Sequence, residues 1–187
     1  MAFVRFSATI CVAAALAAAQ TFDDLKIERM SVNHRFTEGP VWTPEGRLLF
    51  TDVPTSQMFV WNPGHKPEVL RKETGGASGL SYDNKGGLYV CETQSRRLTR
   101  VDKKGKVEVV ADAWEGKKLN APNDVVVRRD GNVYFTDPAF GDQLDRRELD
   151  FFGVFHVNSK GELKLIAKPA GRPNGVAISP NGKILYV

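Results

Sequence analysis

The chain has 187 residues, with 26 Lys and Arg against 22 Asp and Glu and a formal charge of +4 at pH 7. Its basic residues fall as scattered pairs (Arg96-Arg97, Lys103-Lys104, Lys117-Lys118, Arg128-Arg129, Arg146-Arg147) with no stripe interleaved with aromatics, which argues against a nucleic-acid partner. The only cysteines are Cys11 and Cys91, too few for a disulfide framework, so stability must come from packing.

The first element in chain order reads as a targeting segment. Arg5 precedes the apolar run "ATICVAAALAAA" (Ala8 to Ala19), and small residues at Ala17 and Ala19 stand just before Gln20. This is the charged, apolar and small-residue order of a secretory signal. The run is shorter than the roughly 20 residues a membrane-spanning helix needs. Residues 1–19 are therefore expected to be removed, and Arg5 and Cys11 with them. The mature protein is expected to be secreted or periplasmic, with no stable membrane association. An uncleaved anchor or a core helix is the alternative.

Beyond Gln20 the chain repeats. "EGPVWTPEGRLLFTD" from Glu38, "SGLSYDNKGGLYVCE" from Ser78, "NDVVVRRDGNVYFTD" from Asn123 and "NGVAISPNGKILYV" from Asn174 align without a gap. Gly46, Gly86, Gly131 and Gly182 share one offset, Phe50, Val90, Phe135 and Tyr186 another, and the acids Asp52, Glu92 and Asp137 a third. The starts lie 40, 45 and 51 residues apart. Repeats of this length built from strands indicate β-propeller blades.

Each copy reads as two hairpins. "DVVV" and "NVYFT" flank Asp130-Gly131, and Asn181-Gly182 takes the same place in the fourth copy. Such pairs are expected to supply the positive φ angles of a tight hairpin turn. "MFVWNPGHKPEVL", "LTRVDKKGKVEVV" and "VFHVNSKGELKLI" then give strand, turn, strand again. No segment has a helical apolar period. The expected fold is all-β, a propeller of four-stranded antiparallel blades. About three and a half blades cannot close a ring. Residues 20–187 are thus expected to be the N-terminal part of a single propeller domain with further blades to follow.

In a propeller the innermost strands surround one channel, so equivalent positions converge. The first position of the repeat holds Glu38, Ser78, Asn123 and Asn174. A lone Glu or Asn at a strand start is ordinarily a turn cap. Three hard oxygen donors at one converging offset point instead to a divalent-cation site. Ser78 is a weak ligand and leaves room for substrate. Asn120, three residues before Asn123, is placed at the substrate mouth. Asp124 should face away and supply a supporting hydrogen bond.

The blocks "EGPVW", "NAPNDVVVRRDGNVYFTDP" and "RPNGVAISPNGKILYV" resemble those of the SMP-30/gluconolactonase/LRE family of six-bladed propellers, over essentially the whole mature chain. The resemblance implies an axial divalent cation held by Glu38 and Asn174, with Asn123 joining the metal or binding substrate. Ca²⁺ is the first expectation, with Zn²⁺ or Mn²⁺ as alternatives. The family's later Asp, a ligand and general base, has no counterpart up to residue 187, so the catalytic base is expected beyond it and residues 20–187 alone are expected to be inactive. The implied reaction is hydrolysis of a sugar lactone or related ester, the cation polarising the carbonyl for water attack.

A non-catalytic binding propeller and a phosphotriesterase-type hydrolase on the same site are the alternatives. "GGASGL" around Ser78 lacks the second glycine of a nucleophile elbow. His34, His65 and His156 share no repeat offset and read as surface or hydrogen-bonded residues. The recurring acids Asp52, Glu92 and Asp137 read as caps or inter-blade links.

Overall fold

The computed structural model describes residues 25–187, so the signal expected over residues 1–19 lies outside the described residues. β1 (Thr37–Trp42), β2 (Leu48–Asp52), β3 (Gln57–Trp61) and β4 (Glu68–Lys72) form the first antiparallel sheet in that order. β5 (Ala77–Tyr82), β6 (Leu88–Glu92), β7 (Arg97–Val101) and β8 (Val107–Ala111) form the second. A small hairpin of β9 (Ala113–Trp114) and β10 (Lys117–Lys118) precedes the third sheet. That sheet comprises β11 (Val125–Val127), β12 (Val133–Asp137), β13 (Gly153–Val157) and β14 (Leu163–Ala167). β15 (Ala177–Ile178) and β16 (Leu185–Tyr186) begin a fourth. β1 lies beside β5, β5 beside β11 and β11 beside β15, so the first strands of successive sheets are neighbours, as propeller blades require.

The core lies in the gaps between blades. Leu49, Met58, Val60, Leu80, Leu88 and Val90 fill the gap between the first and second sheets. Cys91, Leu98, Leu119, Val125, Phe135 and Phe155 fill the next. β-branched and aromatic residues suit this pleated surface. Phe50 stacks on Phe59 at 5.2 Å, and Phe135 on Phe155 at 5.3 Å, at equivalent places in their blades. The shared aromatic offset is therefore a packing position.

The turns depart from the sequence expectation. Gly131 has φ +88° and Gly182 +71°, but the Asp and Asn before them keep negative φ. The Gly131 N–H donates to Arg128 O at 2.9 Å and the Gly182 N–H to Ser179 O at 2.8 Å. Each turn is thus a four-residue loop ending in one left-handed glycine, rather than a two-residue turn with both angles positive. Two insertions also escape the repeat. The β9–β10 hairpin and a short 3-10 turn, Gly141–Arg146, occupy the two longer spacings, 45 and 51 residues.

Blades are stitched together at their inner strands. Thr51 Oγ1 donates to its own blade's Glu38 O at 3.1 Å and lies 3.0 Å from Ser78 O of the next. Thr136 Oγ1 donates to Asn174 O at 2.7 Å and accepts from the Asp124 N–H at 3.1 Å. Cys91 stands at the same offset in the second blade, where Gly79 N–H bonds Asn123 O directly at 2.7 Å. Thr136→Val keeps the shape and strands both partners. It is expected to lower unfolding stability by about 2 kcal/mol, read as a shifted urea midpoint at unchanged slope.

The recurring acids cap the loops that enter the blades. Asp52 accepts from the N–H groups of Arg35 (3.0 Å) and Phe36 (3.1 Å), and Asp137 from those of Asn120 and Ala121 (both 2.8 Å). These donors sit at one repeat offset. The longer Glu92 instead accepts from Thr99 Oγ1 at 3.0 Å and pairs with Arg97 at 2.7 Å.

Candidate functional site

Each repeat starts where a loop enters an innermost strand, and there the first two blades are bulged. Pairing jumps from Glu38–Thr51 to Val41–Leu49, and from Ala77–Glu92 to Leu80–Val90. A bulge breaks the alternation and re-aims side chains, and it tolerates Pro40, which has no N–H to donate. Glu38, Ser78, Asn123 and Asn174 together line one cavity of about 380 Å³. Phe36, Val53, Thr93, Phe140, Gly141 and Gln143 complete its wall, the last three from or beside the 3-10 turn.

Burial grades across the site. Ser78 is 1% and Asn123 8% exposed, Glu38 is half-buried and Asn174 is exposed. Asn123 Nδ2 reaches Ser78 Oγ only at a long 3.5 Å. Its Oδ1 is buried and, among the described residues, has no hydrogen-bond partner. A buried carbonyl oxygen without a donor is costly unless something else satisfies it. One carboxylate and two amide carbonyls form a hard-oxygen donor set of the kind that binds Ca²⁺. The residues present therefore fit a divalent cation. Among the described residues no three His, Cys, Asp or Glu side chains gather at one point, so any cation here would draw on amide oxygens as well as a carboxylate.

Asp124 accepts from the N–H of Val176 at 2.7 Å and of Val125 at 2.9 Å, and lies against Gly79. Burial raises its pKa, opposed by those two donors. It ties the third blade to its neighbours.

Asn120 stands apart from the other site residues. It lines a separate cavity of about 320 Å³ with Thr93, Gln94, Arg96, Asp142, Gln143 and Arg146. The Asp137 carboxylate that caps its loop fixes it there, and burial pushes that carboxyl up to about 7 despite two N–H donors. A larger cleft of about 1000 Å³ lies at the hairpin-turn end of the first two blades and contains none of the repeat-start residues. His156 bonds Asn132 Oδ1 at 2.6 Å and His34 bonds Ser31 at 2.8 Å, both outside the site.

The wall residues Phe140 and Gln143 belong to an insertion, so no repeat offset announces them. Thr51 and Thr136 carried a signal in the twice-repeated "FTD", which Cys91 interrupts.

Residues 36–187 match the SMP-30/Gluconolactonase/LRE-like region. The chain is 34% identical over 180 residues to a gluconolactonase of Zymomonas mobilis, covering 86% of this chain and 51% of that protein. The solved structure of a gluconolactonase from Xanthomonas campestris superposes with a TM-score of 0.76 at 31% identity, over 82% of this chain and 54% of that one. A luciferin-regenerating enzyme shares the fold at a TM-score of 0.64 and 20% identity, over 82% of this chain and 52% of that one. The chain thus spans about half the length of the relatives it matches. On the family match, the identity and the shared blades, this β-propeller chain belongs to the SMP-30/gluconolactonase/LRE-like family.

Proposed function

We propose that the protein hydrolyses a sugar lactone, with the first cavity as its reaction centre. The observation that carries this reading is the meeting of all four repeat-start residues in one cavity with an unpartnered Asn123 carbonyl oxygen. Similarity to gluconolactonases supports the substrate class. Glu38, Asn123 and Asn174 would hold a divalent cation, Ca²⁺ before Zn²⁺ or Mn²⁺. When bound, such an ion supplies Lewis-acid polarisation of an ester carbonyl and charge to balance a developing oxyanion.

The chain's own residues do the rest. Glu38 brings the one negative charge in this wall among the described residues. Asn123 and Asn174 donate oxygen without adding charge. Ser78 offers a small hydroxyl beside the Asn123 amide, which leaves space for substrate. Phe36, Val53 and Phe140 give an apolar flank that limits water around a lactone ring. With Glu38 engaged on an ion, the proton of the attacking water needs another base. In the full-length protein we assign that role to a carboxylate outside residues 25–187.

Gluconolactone hydrolysis by the full-length protein, followed with and without EDTA, tests the reading. Activity is expected to fall away in chelator and return with added Ca²⁺. Full activity in EDTA would remove the ion from the mechanism. No hydrolysis under any metal would replace the enzyme with a binding propeller.

A further inference from the structure

The second cavity combines an unmet hydrogen-bond acceptor with charged side chains that already have partners. Asn120 is 1% exposed, lines this cavity, and leaves Oδ1 buried without a hydrogen-bond donor. Its Nδ2 donates to the carbonyls of Asp137 (3.2 Å) and Phe151 (2.9 Å), so the amide cannot turn round without losing both. The unmet demand is therefore for a donor.

The charges nearby are already engaged. Arg96 Nε donates to Leu119 O at 2.7 Å and its Nη1 lies 3.2 Å from Glu148. Arg146 pairs with Asp142 at 3.3 Å. An anion would face the Asn120 carbonyl oxygen and the Asp142 carboxylate. A cation would face two guanidinium groups. A hydroxyl avoids both conflicts, because it can donate to Asn120 Oδ1 and accept from a neighbour. Gln143 is placed for that, since its Oε1 accepts from the Phe140 N–H at 3.3 Å and its Nε2 remains to donate. Thr93 and Gln143 form part of both cavity walls, so the two cavities adjoin.

We propose that the second cavity is a polyol subsite. It takes the hydroxyl-bearing chain, or a further sugar unit, of a lactone whose ring occupies the first cavity, and Asn120 Oδ1 accepts from a substrate hydroxyl. The inference rests on the lactone reading of the first cavity and adds that the substrate's hydroxyl groups are recognised in the second.

The test compares D-glucono-1,5-lactone with unsubstituted δ-valerolactone in the full-length protein. Asn120→Ala, and separately Gln94→Leu at the exposed rim, are expected to lower kcat/KM for gluconolactone about tenfold more than for valerolactone. Equal losses on both lactones, or none on gluconolactone, would overturn the subsite. Gln94→Leu keeps the test open if loss of the Asn120 amide unfolds its loop. If the wild-type protein turns over neither lactone, the hydrolase reading fails and sorbitol titration reads the subsite alone. Amide-proton shifts confined to Thr93, Gln94, Asn120 and Gln143 would support it, and their absence would end it.

Discussion

Glu38→Gln in the full-length protein is expected to weaken divalent-ion binding by roughly two orders of magnitude and to remove most lactone hydrolysis with it. Glutamine keeps the length and one carbonyl oxygen of the side chain and deletes only its charge. The Glu38 backbone carbonyl still accepts from Thr51, so the blade junction stays intact and the loss is not one of folding. Asn123→Ala should behave differently. Glu38 and Asn174 remain to hold the ion, so its effect should fall mainly on turnover or substrate binding. Calorimetric titration with Ca²⁺ alongside the lactone assay separates the two variants. Wild-type affinity and activity in Glu38→Gln would rule out the cation site.

Gly39→Ala is expected to be among the most damaging single-methyl additions at the described glycines, at about 2–5 kcal/mol. Its φ of +55° is left-handed, which costs a residue with a Cβ about 1–2 kcal/mol. The new Cβ would also be driven into the Ser78 backbone carbonyl of the next blade, which cannot swing aside. Overpacking of that kind adds about 1–3 kcal/mol. Gly46→Ala is the control. Its φ is +77°, yet nothing lies within 4 Å of the added methyl, so it should cost about 1–2 kcal/mol, the conformational penalty alone. Urea unfolding of the two variants should separate them clearly. Equal midpoints would mean that the inner strands are not packed as tightly as the distances require.

That close approach also explains what could be read from the sequence. The blades and the meeting of Glu38, Ser78, Asn123 and Asn174 were legible because a propeller converts one repeat offset into one place in space. The same logic fails for anything outside the repeat. Phe140 and Gln143 reach the cavity from an insertion whose length shows in the 51-residue spacing but whose path does not. Asn120 was expected at the substrate mouth; it lines a second cavity adjoining the first, on a loop held by the Asp137 carboxylate. Sequence distance said nothing about that carboxylate. The glycine of each hairpin was legible, whereas the residue before it was not, since a single left-handed position suffices when the loop has four residues.

Gly79 marks another limit. A Cβ there would lie 2.6 Å from the Asp124 Cα, so its glycine serves blade packing and not a turn. Of the three glycines at the second repeat position, Gly39 and Gly79 are thus contact requirements that the sequence shows but does not explain, whereas a Cβ at Gly175 would meet only Asp124 Oδ2, at 3.8 Å.

The repeat-start side chains are proposed to hold a divalent ion between them. Crystals of the full-length protein soaked in Mn²⁺ and measured at the manganese edge test it most directly. One anomalous peak is expected in the first cavity, roughly 2.0–2.6 Å from oxygens of Glu38, Asn123 and Asn174. A well-ordered cavity with no peak there, in crystals that bind manganese elsewhere, would contradict it.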